Sequence, residues 1–114
     1  MSTSAQYKKI VETMTDALNK HNIDEFLTHY GDNCEVIRDG QCVIRSKDEF
    51  KKYAEERFSN PDAKANLVEF LPSESDDRIR FIVEHKDKKR YEQTCVFSKE
   101  GKVVQVHLKS LNNN

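Results

Sequence analysis

MTDALNKHNIDEFLTHYGDNCEVI, residues 14–37, decides the fold: it reads as the end of one helix, a break, a second helix and a first strand. Just upstream and into it, Tyr7, Ile10, Val11, Met14, Ala17 and Leu18 recur at helical spacing. That puts them on one face of a helix from about Ala5 to Lys20. The break falls at Lys20-His21-Asn22. Asn22 accepts from the free amides of a new first turn, and Glu25 reaches back to it. The second helix runs from about Ile23 to Tyr30, with Ile23, Phe26, Leu27 and Tyr30 as its apolar stripe. Gly31 is expected to close it, since a left-handed residue costs glycine little. Two helices this close cannot bury both stripes against each other alone and need a sheet to cover.

The rest of the chain supplies that sheet. Cys34 to Ile37 reads as a strand, and Asp39-Gly40 as a two-residue hairpin turn with positive φ at both centres. The chain returns through Gln41 to Ile44. Ser46 opens a third helix, with Glu49 completing a capping box. Phe50, Tyr53, Ala54, Arg57 and Phe58 line one side of it, and Asn60-Pro61 stops it. Everything after Pro61 reads as antiparallel sheet: Asn66 to Leu71, a polar turn at Ser73 to Asp77, Arg78 to Lys86, Tyr91 to Phe97, and Val103 to Lys109 after the turn Lys99-Glu100-Gly101. A three-residue loop at Asp87-Lys88-Lys89 makes Ile79/Phe97, Phe81/Cys95, Val83/Gln93 and His85/Tyr91 facing pairs. On the last strand Val104, Val106 and Leu108 share one face, and Val103, Gln105, His107 and Lys109 the other. Residues 1–4 and 112–114 read as frayed ends. The layout is α+β: three helices packed on a strongly curved, mainly antiparallel sheet, a cone-like barrel with a central cavity at its open end.

Size and composition narrow the function classes. The chain has 114 residues, one domain's worth, and buries enough surface to need no covalent staple. With 36% hydrophobic and 34% charged residues the core is modest, as around a cavity or beside a partner chain. A net charge of −1 argues against a general affinity for nucleic acid or anionic membrane. Cys34, Cys42 and Cys95 have no metal or redox spacing, and His21, His29, His85 and His107 no ligand spacing, so neither metal nor cofactor is expected. The N-terminus is polar and no apolar span is long enough for a membrane helix. An intracellular, cytoplasmic protein with free thiols is the expectation.

The element order resembles the nuclear transport factor 2-like superfamily of cone-shaped α+β barrels, which includes ketosteroid isomerase and polyketide cyclases. The resemblance covers nearly the whole chain and rests most on ALNKHNIDEFLTHYGDNCEVI and the ending FSKEGKVVQVHLKS. It implies a shared fold and pocket position, and dimers through the outer sheet face. It does not imply isomerase chemistry. The isomerase's oxyanion tyrosine falls at Met14, its general-base aspartate at Arg38 with Asp39 next door, and its second oxyanion acid at Gln93. A thioether donates no hydrogen bond and a guanidinium accepts no proton.

Met14, Tyr30, Arg38, Tyr53, His85, Tyr91, Gln93 and Cys95 are the candidate ligand-binding residues. His85 is the candidate acid or base; the commoner fate of such a residue is a strand-end histidine, half exposed beside its turn. Arg38 suits a ligand carboxylate or phosphate, or a pairing with Asp39. Gln93 either orients a ligand or satisfies a buried amide, and Tyr30 and Tyr53 are more often core residues with an anchored hydroxyl. The facing pairs keep Cys95 and His85 too far apart for a nucleophile–base pair. The basic tip Lys86 to Arg90 suits an acidic partner but is more simply a solvated turn. On the outer face, Ile82, Val96 and Val103 are expected to be wet unless a second copy covers them, so a homodimer is expected. Three functions remain open: a protein that binds a small hydrophobic or acidic molecule without evident catalysis; a cyclase, dehydratase or isomerase-type enzyme using His85, Tyr91 and Arg38; and a dimerisation or protein-interaction module.

Overall fold

The computed structural model describes residues 4–59, 64–72, 75–85 and 88–111. Its elements are α1 (Ser4–Asn19), α2 (Ile23–Thr28), β1 (Tyr30–Arg38), β2 (Gln41–Ile44), α3 (Lys47–Phe58), β3 (Ala65–Leu71), β4 (Arg78–His85), β5 (Arg90–Phe97) and β6 (Val103–Ser110). One curled six-stranded sheet runs β2-β1-β6-β5-β4-β3. All neighbours are antiparallel except β1 and β6, which run parallel because the chain returns from the far edge to lie beside its first strand. The three helices cover the concave face. The expected frayed ends at 1–3 and 112–114, the stop at Asn60-Pro61, and parts of the Ser73–Asp77 and Asp87–Lys89 turns lie outside the described residues.

The break between α1 and α2 is made by His21, not by a glycine. His21 takes φ 58. The Asn22 N–H donates to Ala17 O at 2.8 Å and the His21 N–H to Leu18 O at 3.0 Å, the paired bonds that satisfy a helix's last carbonyls. Asn22 then caps α2, its Oδ1 accepting from the Glu25 N–H at 3.2 Å. The expectation for Gly31 is corrected: α2 ends earlier, at His29 in a right-handed conformation. Gly31 lies inside β1, where a Cβ would meet Val104 Cγ1 at 3.2 Å, so the glycine serves close strand approach. Tyr30 is therefore the first residue of β1, not the last of a helix.

The Asp39-Gly40 turn has the expected positive φ at both centres, 48 and 87. Ser46 caps α3, its Oγ accepting from the Glu49 N–H at 3.2 Å, while the Glu49 carboxylate reaches one residue further back, to the Arg45 N–H at 2.7 Å. The β4–β5 register is corrected by one residue on each strand. Ile79 faces Cys95, Phe81 faces Gln93 and Val83 faces Tyr91. The ladder closes one step earlier than expected, with the His85 N–H on Lys89 O at 2.8 Å and Lys88 at φ 73, while Lys86 and Asp87 lie outside the described residues. A shift of two in the pairing sum leaves every side chain on its expected face.

Val103 is a further correction. Instead of lying wet on the outer face it is fully buried in the core. A register irregularity between Val96 and Phe97 pairs Phe97 with Val103 and Val96 with Gln105, so Val104 is the extra residue and Val103 turns inward. Val96 keeps its outward parity yet is only 9% exposed, lying between Arg78 and Gln105 in the register.

Candidate functional site

The sheet's curl leaves a hollow of about 990 Å³ between its concave face and the helices. α1 contributes Met14 and Thr15, β1 contributes Val36 and Arg38, and β4 to β6 contribute Phe81, Val83, Gln93 and Val106. These strand residues share a face because alternate positions on neighbouring strands point the same way. α3 contributes Phe50, Tyr53, Ala54 and Arg57, the side that its helical spacing marks as apolar.

At the inner wall, Phe50 sits at the centre of an aromatic cluster, with ring centroids 4.3 Å from Tyr30, 5.9 Å from Phe26 and 6.3 Å from Tyr53. Tyr30 is only 4% exposed, and no described residue supplies a hydrogen bond to its hydroxyl. Burial first, then the neighbouring Cys95 and Cys34 thiols and Tyr53, holds the Tyr30 phenol well above its ordinary value. It therefore remains an O–H donor at any ordinary pH.

At the outer end, His85 Nδ1 lies 2.6 Å from an Arg57 Nη. A guanidinium only donates, so Nδ1 must be the accepting nitrogen of a neutral imidazole whose proton sits on Nε2. The Tyr91 ring stands edge-on to His85 at 5.3 Å. The two are diagonal neighbours in the corrected register, not a facing pair. Arg38 lies exposed at the rim. It does not pair with Asp39, whose carboxylate accepts from the Ser110 N–H and hydroxyl, both at 2.9 Å. Those two bonds hold the Asp39 carboxyl below its usual value.

Met14, Tyr30, Arg38, Tyr53, His85, Tyr91 and Gln93 thus all line the hollow. Cys95 does not. It is fully buried behind Gln93, whose amide donates to its sulfur at 3.5 Å. Burial pushes its thiol up to about 12, which leaves it inert as a nucleophile. The β5 strand runs from the open end of the cone to its packed end, where Tyr7 stacks on Phe97 at 4.0 Å, and Cys95 belongs to the packed end. Sequence reasoning passed over Arg57 as a site residue. The signal was present: an arginine on the apolar stripe of α3, among Phe50, Tyr53, Ala54 and Phe58. Among the described residues no cluster of three or more His, Cys, Asp or Glu side chains gathers, and no helix is long and apolar enough to cross a membrane.

No protein-family model matches the chain, and no curated protein matches it in sequence. Solved structures do. A SnoaL-like protein of unknown function from Burkholderia thailandensis superposes with TM-score 0.85 at 19% identity, over 96% of this chain and 98% of that one. An NTF2-like protein of unknown function from an Exiguobacterium species gives 0.71 at 16% identity, over 90% and 98%. SalBIII, an epoxide hydrolase/cyclase-like enzyme of pyran ring formation in salinomycin, gives 0.76 at 12% identity, over 97% and 95%. At these identities the likeness is one of fold: the chain has the nuclear transport factor 2-like architecture.

Proposed function

We propose that this chain is a small-molecule-binding protein that lodges an amphipathic ligand inside its cone. The observation that carries this is the hollow itself: about 990 Å³, apolar through most of its wall, with the Tyr30 hydroxyl, which has no hydrogen-bond partner among the described residues, at the inner end. Pockets for small molecules run from about 300 to 1,000 Å³ with a few placed polar groups. Relatives in fold lend the idea general support, one being a computationally designed 17-OHP binder.

The enzyme reading is weaker. The described side-chain bond of His85 ties its Nδ1 to Arg57. His85 would have to release Arg57 before serving as a base. A pure interaction module calls for a filled core and a broad apolar outer patch, and the burial of Val96 and Val103 removes most of that patch. A second copy of the chain is still the partner proposed for the outer face, where half-buried Ile37 and Ile82 flank a row in which Gln105 bonds Glu35 at 3.1 Å and His107 at 2.8 Å. Three free cysteines suit a reducing, cytoplasmic setting.

N-phenyl-1-naphthylamine, an uncharged apolar dye that brightens out of water, tests the binding reading. Its fluorescence should rise with the native protein and fall back with Leu108→Trp, which fills the hollow from a half-buried position. A native protein that leaves the dye dark, or a Leu108→Trp variant that brightens it equally, refutes the proposal.

A further inference from the structure

The hollow's charge is out of keeping with the chain's. The whole sequence carries −1, yet the described residues lining the hollow include Arg38, Arg57 and Lys64 against the one described carboxylate Glu56. Arg57 stands out among these. It lies on the apolar stripe of α3 and is half-buried. No described acidic group pairs with it. Glu56 is its chain neighbour, and adjacent helical residues do not face each other. Its one described hydrogen bond goes to an uncharged partner, His85 Nδ1 at 2.6 Å. A half-buried guanidinium held by a neutral imidazole retains its full charge and further N–H donors in a fixed plane. Desolvating a cation without a counter-ion is costly, and proteins resolve it by pairing.

We infer that Arg57, held in place by His85, anchors the carboxylate of an amphipathic acid whose apolar body runs inward between Phe26, Phe50 and Phe81. This rests on the hollow being the binding site and adds the ligand's class. One charge without an acidic partner among the described residues matches a monoanion. A planar carboxylate also matches the guanidinium's parallel donors.

Decanoate, decanol and decyl phosphate share one chain and differ only at the head, so their titration by calorimetry at neutral pH and low salt tests the inference. Decanoate should bind about tenfold more tightly than decanol, the scale of one charge-assisted contact. Arg57→Gln should erase that difference, and a melting temperature measured beside the native protein's shows that the variant is folded. Rising salt should weaken decanoate and not decanol. Equal affinity of the native protein for decanoate and decanol overturns the anchor and leaves the hollow as a binding site. Tighter binding of decyl phosphate than of decanoate overturns the carboxylate assignment. Binding of none of the three overturns the binding reading itself.

Discussion

Removing the Asn19 side chain should destabilise the protein far more than its half-exposed, helix-end position suggests. Asn19 Nδ2 donates to Ala65 O at 2.8 Å, and Asn19 Oδ1 accepts from the Ala65 N–H at 2.8 Å. Ala65 begins β3, an edge strand, and is only 4% exposed. Its ladder partner His85 spends its own N–H on Lys89, just before β5, so the Ala65 amide and carbonyl point away from β4, toward α1. Asn19 therefore plays the part of a missing seventh strand. Asn19→Ala leaves a buried donor and a buried acceptor without described partners, at about 1–3 kcal/mol each. Partial access of water to the half-buried site brings the total to about 2–4 kcal/mol. Unfolding entropy near about 2.1 cal/mol/K per residue gives about 0.24 kcal/mol per kelvin for 114 residues. The melting temperature should fall by about 8–16 °C, with the urea midpoint falling in step at an unchanged slope. Asn19→Asp keeps the acceptor and loses the donor, so it should fall between. Lys20→Ala, which removes only an exposed pair with Asp16, is the control. An Asn19→Ala variant that melts within two or three degrees of Lys20→Ala, about what a median surface pair contributes, refutes this account of the β3 edge.

Two further outcomes follow from burial. Cys95 ionises near 9.0 when unfolded and about 12 when folded, so the unfolded chain binds fewer protons between those values. The stability is fully present below pH 9.0 and is lost as pH rises toward 12, by a few kcal/mol at the limit, with Tyr30 acting in the same direction from 10.0 upward. Urea midpoints measured across that range should fall less steeply for Cys95→Ala, and identical slopes would refute the assignment. On the outer face, sedimentation velocity at micromolar concentration should show a dimer that Ile82→Glu converts to monomer; a native monomer would end the second-copy proposal.

The wall of the hollow was largely legible because period and chemistry coincide there. Val83, Gln93 and Val106 point inward by strand parity alone, and a register error of one residue on each strand left that parity intact. Arg57 was placed on the right face of α3 by spacing, but nothing in the sequence said that its nearest polar neighbour would be His85, twenty-eight residues away. The Val103 error arose because a bulge inserts one residue without leaving a mark in the alternation.

Local chemistry alone determined the helix break at His21-Asn22, the caps at Asn22 and Ser46, the positive-φ turn at Asp39-Gly40 and the faces of β4 and β5. These depend on residues within a few positions of one another, so short-range sterics and hydrogen bonding are enough to specify them. The tertiary structure decided the rest: the parallel docking of β6 on β1, the glycine contact of Gly31 with Val104, the clasp of Asn19 on Ala65 and the meeting of Arg57 with His85. Each joins groups far apart in the chain. Which distant groups meet is set by how the whole sheet curls over the helices, and no local pattern encodes that curl.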